Sequence, residues 1–589
     1  MFFQSYLSFR DLEPSCPVTE ELLVEQIKTI PLDVILGTVA MICTGFDKNI
    51  GFFDTSYQAP FLNQALVDDF PRSIGNLDKI YIPGRTPITG GRHMFMHEQN
   101  LTWLVNCALF HSDSTVETPE ICPIQTRRIF RLLLLINNLL PNSLQSSFKS
   151  LESRREFCLD WIRNYQHDHF FQQLPHELFV ELARNKVIFE DYLPKHFSDI
   201  NVTFQSVLGV DTHLFFQALT GFISHFTNEI RPGRHWMTLS TFLSNIKEPY
   251  KSHLEKILSS YLTTPAEYRK QSTEWLNSQS GRLAASRPDT DLKLACIPLQ
   301  KTPLIWPRKD HFICPIPQLF LRKITDDLFF KTLDSGQLNS GDQQGGFASK
   351  IGLAFEDYGA SIVRKFAKDH GWKYEKSPKD SVGNELTDIY LQTQDIGIMI
   401  EFKADRPGLP FVHGKNDDRV LGPKAKFIND LDRTKYSLEE IKRQDSAYLT
   451  ESIWQINTNI QPVKKWASEN FGQEPMRLFT IVVFLSNYLP DEVVIKGYIK
   501  PLLSRVSSNQ EIIVPQYLHI RDFEALFELG ISGQVDPSSL IENKILEAPD
   551  CRFDLFLKER INNYPAYSVL LQESQQLLTS SIEIFFKTT

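Results

Sequence analysis

Leu386-Thr387-Asp388-Ile389-Tyr390-Leu391, a Gln-Thr-Gln-Asp connector, and Ile396-Gly397-Ile398-Met399-Ile400-Glu401-Phe402-Lys403 are the residues that decide how this chain folds. Two apolar, β-branched-rich runs of strand length across so short a connector predict adjacent strands. Side chains alternate along a strand, so Glu401 and Lys403 share one face while Phe402 packs on the other. With Asp388 on the same side, two carboxylates and an ammonium converge. Such a cluster is costly to bury and serves packing poorly. Two carboxylates with room for water suit a hard, oxygen-preferring ion such as Mg²⁺, and a neighbouring lysine can orient or activate an attacking water. The chemistry indicated is phosphodiester cleavage. A solvated Glu–Lys pair on an exposed strand is the plainer reading, but it leaves the apolar run Ile396–Ile400 unexplained, because an exposed face should alternate.

An Asp on one strand followed by Glu-x-Lys on the next resembles the catalytic core of the PD-(D/E)XK, or restriction-endonuclease-like, nuclease superfamily. Upstream, Gly352-Leu353-Ala354-Phe355-Glu356-Asp357-Tyr358-Gly359 opens a segment whose Ile351, Phe355, Tyr358, Ile362 and Phe366 fall on one helical face. The resemblance implies that this helix supplies a further acid to the metal site, and Glu356 occupies that place. Downstream come a long polar loop, a helix predicted from about Ser437 to Glu469, and the buried-type strand Leu478–Leu485. Helix, strands, helix, strand is the superfamily's order. Asp388, Glu401, Lys403 and Glu356 are therefore the expected catalytic residues. Asp388, Glu401 and Glu356 are the expected ligands of Mg²⁺ or Mn²⁺.

The pattern departs from the family at several points. Thr387, not Pro, precedes the first acid, and Pro378-Lys379-Asp380 lies closer to the literal motif. Asp388 is preferred because only its segment can pair with the Glu401 strand. The loop after Lys403 exceeds ordinary connections, which marks it as functional or mobile. Gln444-Asp445-Ser446-Ala447-Tyr448 resembles the Q-x-x-x-Y helix of RecB-type nucleases, so Gln444 and Tyr448 are expected to contact substrate, with Gln455 as the alternative to Gln444.

The 589 residues exceed one ordinary domain. A hydrophobic share of 42% and a charged share of 23% are those of a globular protein. A net charge of −9 does not advertise polyanion binding, though net charge is a poor guide to a local patch. Arg364 and Lys368 lie opposite the apolar stripe of their helix and are candidate phosphate contacts, as solvated surface residues would also be placed. Eight cysteines without a C-x-x-C pair predict reduced thiols and no zinc site. His93 and His97, and likewise Cys107 and His111, have helical metal-ligand spacing without a third ligand. The N-terminus lacks signal-peptide features, and Leu132–Ile136 is broken by Asn137 and Asn138 well short of a span. A cytoplasmic protein without a membrane segment is expected.

The fold class expected is multidomain: a mostly α-helical N-terminal half, a short β-hairpin module, and a C-terminal α/β restriction-endonuclease-like core. Helices are predicted from an N-cap at Thr19 and around 99–111, 125–140, 145–164, 210–228 and 236–262. The Pro-rich segment Ile297–Ile316 predicts the hairpin. The corresponding units are 1–285 (helical, sensing or regulatory), 286–344 (β-rich connector), 345–530 (nuclease) and 531–589 (helical extension). Residues 1–285 are expected to contribute no catalytic group, and a fragment from Gly345 onward to keep the metal site. The combination loosely resembles large bacterial anti-phage defence nucleases, which implies a dormant effector of DNA, with RNA or tRNA as the alternative substrate, and a phage protein as trigger. The loop after Lys403 would then border the resting site. A nucleic-acid-binding or architectural protein with an inactive nuclease fold is the competing reading.

Overall fold

The computed structural model describes residues 8–9, 17–46, 96, 98–112, 123–139, 175–229, 236–244, 246–248, 250–277, 299, 302–308, 311–317, 319–320, 341–404, 451–485, 494–503, 513–549, 551–560 and 571–585. Among these, helix dominates and two small mixed sheets are present. The predicted helix at 145–164, the loop after Lys403, Gln444, Tyr448, His93 and His97 lie outside the described residues.

Helices α1 (Glu20–Lys28), α2 (Leu32–Phe46), α3 (Glu98–His111) and α4 (Pro123–Leu139) form the first group. Thr19 caps α1, its hydroxyl accepting from the Leu22 N–H at 3.2 Å, with Glu20 and Glu21 in the first turn. Next come α5 (Pro175–Val187) and α6 (Thr212–Glu229). The continuous helix predicted over 236–262 is not formed. Instead, strand β1 (Trp236–Thr238), helices 239–244 and 250–259, and strand β2 (Leu262–Thr263) occupy it. Pro249 cannot extend a helix from its N-terminal side, and β1 and β2 are claimed by partners distant in sequence. The hairpin is present as β3 (Leu304–Arg308) and β4 (His311–Ile313), flanked by β2 and β1 in the order β1-β4-β3-β2.

This small sheet is a partition between two cores. Strand alternation sends Ile305 and Ile313 into a core with α1 to α4, while Leu304 and Phe312 enter a second core. The second core also takes residues from α5, α6, the helix Gly341–His370, one face of the C-terminal sheet and the helices that follow it. Apolar packing runs across the expected boundaries at 285, 344 and 530. Buried residues from Val180 to Tyr261 share one core with the C-terminal sheet, and the last helix, α10 (Gln572–Phe585), packs on α5 and α6. Composition could not show this, because which apolar faces meet depends on their positions in space.

The C-terminal region consists of α7 (Gly341–His370), β5 (Lys373–Lys376), β6 (Ile389–Gln392), β7 (Ile396–Lys403), α8 (Glu451–Phe471), β8 (Arg477–Phe484), β9 (Gln516–His519) and α9 (Ile520–Ile531). The sheet order is β5-β6-β7-β8-β9, antiparallel from β5 to β7 and parallel from β7 to β9. Ile389, Leu391, Ile398 and Ile400 pack in one core with α7 and α9, whereas Tyr390 and Met399 meet Val463 and Ala467 of α8. A sheet covered on both faces explains the unbroken apolar run of β7. The stripe Ile351, Phe355, Tyr358, Ile362 and Phe366 of α7 is buried as the sequence predicts.

α5 is tied to this region by a buried ion pair. The Arg184 guanidinium donates twice to Glu524 on α9, at 2.6 Å each, and the Tyr358 hydroxyl donates to the same carboxylate at 2.5 Å. Among the described residues no single helix is long and apolar enough to cross a membrane.

Candidate functional site: a carboxylate and lysine cluster at a splayed strand end

The β6–β7 ladder ends at the pair Ile389–Ile400. Beyond it, side chains take over the backbone bonds. The Phe402 N–H donates to Asp388 Oδ2 at 2.6 Å, and the Thr387 hydroxyl donates to the Ile400 carbonyl at 3.1 Å. Asp388 thus sits in the gap where the two strands part. Thr387, in the place where the motif has proline, closes the strand end with its hydroxyl.

Glu401, fully buried, follows on β7. Its Oε2 accepts from Gln455 Nε2 of α8 at 2.8 Å, and Lys403 Nζ lies 3.9 Å from the same oxygen. Lys403 also donates to Gln455 Oε1 at 3.2 Å. One amide therefore sets the spacing of carboxylate and ammonium. Among the described residues Glu401 Oε1 has no hydrogen-bond partner. A buried carboxylate oxygen left without a donor costs about 1–3 kcal/mol or more, a cost that a bound cation would offset.

The charges act on one another as a single group. Burial, with the charges of Asp388 and Glu385, pushes the Glu356 carboxyl up to about 8, while Lys376 and Lys403 pull it down. Burial raises Asp388 to about 6, opposed by the Phe402 N–H and Lys403. Burial and then Asp388 raise Glu401 well above the usual carboxylate range. Burial foremost, and the neighbouring carboxylates after it, oppose ionisation of these carboxyls, and an added cation would favour their charged forms.

Phe402, between Glu401 and Lys403, turns to the opposite face and meets Phe355 and Phe523 edge-on, with ring centroids 5.2 and 5.4 Å away. A Cβ on Gly359 would collide with the Phe402 ring at Cζ. Gly359 is thus the residue that lets α7 approach β7 closely enough for Glu356 to face Asp388. Gly359→Ala is expected to destabilise the protein by about 1–3 kcal/mol through overpacking against a ring with no free end, and to lower cleavage because the flanking residues of Phe402 move with it. Denaturant unfolding and cleavage rates check this, with Phe402→Leu expected to recover part of both. Unchanged stability would contradict the close-approach argument.

Asp388, Glu401 and Lys403 lie together, and Glu356 is within electrostatic reach. Gln455, the alternative to Gln444, lies beside the site. Asn459, one turn further along α8, donates to the Leu386 carbonyl at 2.6 Å and so anchors the segment leading into Asp388. Arg364 and Lys368 are exposed about 12 and 18 Å along the α7 axis from Glu356, and Arg364 lies over the Tyr374 ring. The rival Asp380 organises a turn, accepting from the Val382 and Asn384 N–H groups at 2.9 and 2.8 Å. Glu385 was missed by the sequence reading, although it stands only three residues before Asp388.

Among the described residues no group of three or more His, Cys, Asp or Glu side chains is arranged to hold a metal ion. Mg²⁺ does not require one, because it keeps several waters and takes one or two protein carboxylates. Asp388 and Glu401, with Oε1 of Glu401 unpartnered, are a fitting donor pair. Comparisons of the chain with protein-family models, with curated proteins and with solved structures return no match.

Proposed function

We propose that this chain is a metal-dependent nuclease of the PD-(D/E)XK type that hydrolyses phosphodiester bonds of nucleic acid, DNA foremost, as a regulated effector of anti-phage defence. The observation that carries the reading is the buried Glu401 oxygen, without a hydrogen-bond partner among the described residues, beside Asp388 and Lys403 at the parted end of β6 and β7. Support comes from the element order of helix, three antiparallel strands, helix and parallel strand, and from Glu356 on the first of those helices.

Asp388 and Glu401 would hold Mg²⁺ or Mn²⁺, with Glu356 adding a ligand directly or through water. A divalent ion there supplies charge neutralisation at the phosphate and a more acidic bound water. Lys403 orients the attacking water against the phosphorus, and Gln455 fixes the lysine at its distance from Glu401. Hydrolysis forms the bond from the water oxygen to phosphorus and breaks the bond to the leaving sugar oxygen.

Incubation of the full-length protein with supercoiled DNA, linear DNA and total tRNA, with Mg²⁺ or EDTA, tests the activity. EDTA-sensitive cleavage of at least one substrate is expected. Nucleic-acid binding without cleavage would favour an inactive architectural fold. Expression in a bacterial host with and without phage tests the defence role, where loss of protection in Lys403→Ala is expected.

Metal linkage gives a further prediction. Because the folded Glu356 carboxyl titrates near 8 and its ordinary value is 4.5, the native state holds more protons than the unfolded state between those values. Metal-free stability therefore falls as pH rises through that window. A cation needs the ionised carboxylates, so it binds more tightly as pH rises. Mg²⁺ at about 100 times its Kd stabilises by about 2.7 kcal/mol, and the thermal shift it produces is expected to be larger at pH 8 than at pH 6 and absent in Glu401→Gln. A pH-independent shift would contradict the carboxylate assignment.

A further inference from the structure

Glu356, Asp388 and Glu401 lie at the parted strands within electrostatic reach of Glu385, and a polyanion approaching them needs cations at the border. The lysines whose charges act most strongly on Glu356 are Lys376 and Lys403. Lys403 is engaged with Glu401 and Gln455. Lys376 has no such role in the chemistry, yet its position is set with care. It ends β5 opposite Ile389, and the next residue, Ser377, donates its N–H to the Asp388 carbonyl at 2.8 Å while holding a left-handed φ of 50°.

Lys376 is oriented from behind. Its ammonium pairs with Asp357, the neighbour of Glu356 on α7, and the other oxygen of Asp357 meets His196 Nε2 at 2.8 Å. His196 belongs to the helical half, where a π-helical turn over Ile188–Tyr192 leads into the short helix Leu193–His196. Tyr192 on that turn stacks edge-on against Tyr358, 5.9 Å between centroids. Lys376, Asp357 and His196 are each about one-quarter exposed. An ion pair of that exposure contributes about 0–1 kcal/mol, and a left-handed non-glycine residue costs about 1–2 kcal/mol. Stability alone therefore does not account for the arrangement.

We propose that Lys376 contacts a backbone phosphate of the nucleic acid beside the scissile one, with Asp357 and His196 as positioning residues, so that the helical half helps to place the substrate. This rests on the nuclease reading and adds to it a substrate contact organised across the two halves of the chain.

The test uses the full-length Lys403→Ala protein, held in EDTA to suppress residual cleavage, as a binder of fluorescein-labelled double-stranded DNA, single-stranded DNA and tRNA, followed by anisotropy between about 50 and 200 mM KCl. Adding Lys376→Gln is expected to weaken binding about tenfold near 0.1 M salt and to reduce the log–log salt slope by about one. Lys376→Arg keeps both values. His196→Ala and Asp357→Asn give a smaller loss with the slope unchanged, and Lys465→Gln, an exposed α8 residue paired with Glu469, changes neither. A packing role alone would alter melting without touching the slope. Unchanged affinity and slope in Lys376→Gln overturn the inference, and cleavage by the wild-type protein in parallel shows whether the nuclease reading survives. Lys376-dependent binding without any wild-type cleavage keeps the contact and removes the nuclease. Absence of binding by the parent overturns the inference.

Discussion

Lys403→Ala and Glu401→Gln are each expected to lower cleavage by about 10²–10⁴-fold, the range that a positioned proton-transfer or water-orienting group supplies. The two losses should differ in character. Lys403 is partly exposed and held by an amide and a carboxylate, so its removal leaves the donor pair for the cation intact. The Mg²⁺-dependent thermal shift persists in that variant. Glu401→Gln keeps shape and the Gln455 contact but removes the charge, so the shift disappears with the activity. Metal-free Glu401→Gln is expected to melt at or above the wild-type temperature, because burial and the Asp388 charge already oppose ionisation of Glu401 and a neutral amide escapes that cost. Cleavage by both variants within a few-fold of wild type, with folding intact, would remove the site assignment.

Arg184→Ala is expected to destabilise the protein by about 3–5 kcal/mol, the range for breaking a buried pair from one side. Glu524 would be left buried with the Tyr358 hydroxyl as its one remaining partner among the described residues. The triple variant Arg184→Met, Glu524→Leu, Tyr358→Phe removes all three polar groups together and is expected to regain most of that loss, since apolar replacement of a whole buried network is often neutral. Guanidinium unfolding of the full-length protein measures both, and a loss below about 1 kcal/mol for Arg184→Ala would show that the pair does not hold α5 against α9. The same contacts alter the expectation for a fragment from Gly345 onward. Such a fragment lacks Arg184, His196 and the rings of Tyr192 and Phe197 that meet Tyr358 and Phe347, and it exposes the apolar surface of α7 that they cover. It is expected to melt below the full-length protein.

Asp388, Glu401 and Lys403 were legible in sequence because the information is local. Strand alternation fixes the face of each side chain, the apolar run of β7 fixes its burial, and a connector of four residues fixes its partner strand. The stripe that places Glu356 beside the sheet is local as well, and so is the hairpin of β3 and β4. The rest required the tertiary structure, because it depends on residues brought together over long separations. Gln455 stands 54 residues from Glu401, and only the packing of α8 on the Tyr390 and Met399 face selects it. Lys376 and Asp357 flank the site through β5 and α7, while His196 arrives from 161 residues before Asp357. The small sheet separates two cores because alternate residues of two short strands point opposite ways, but which helices wait on each side is written in no local pattern. Periodicity determines what a segment buries, whereas the identity of what it is buried against is a property of the assembled chain.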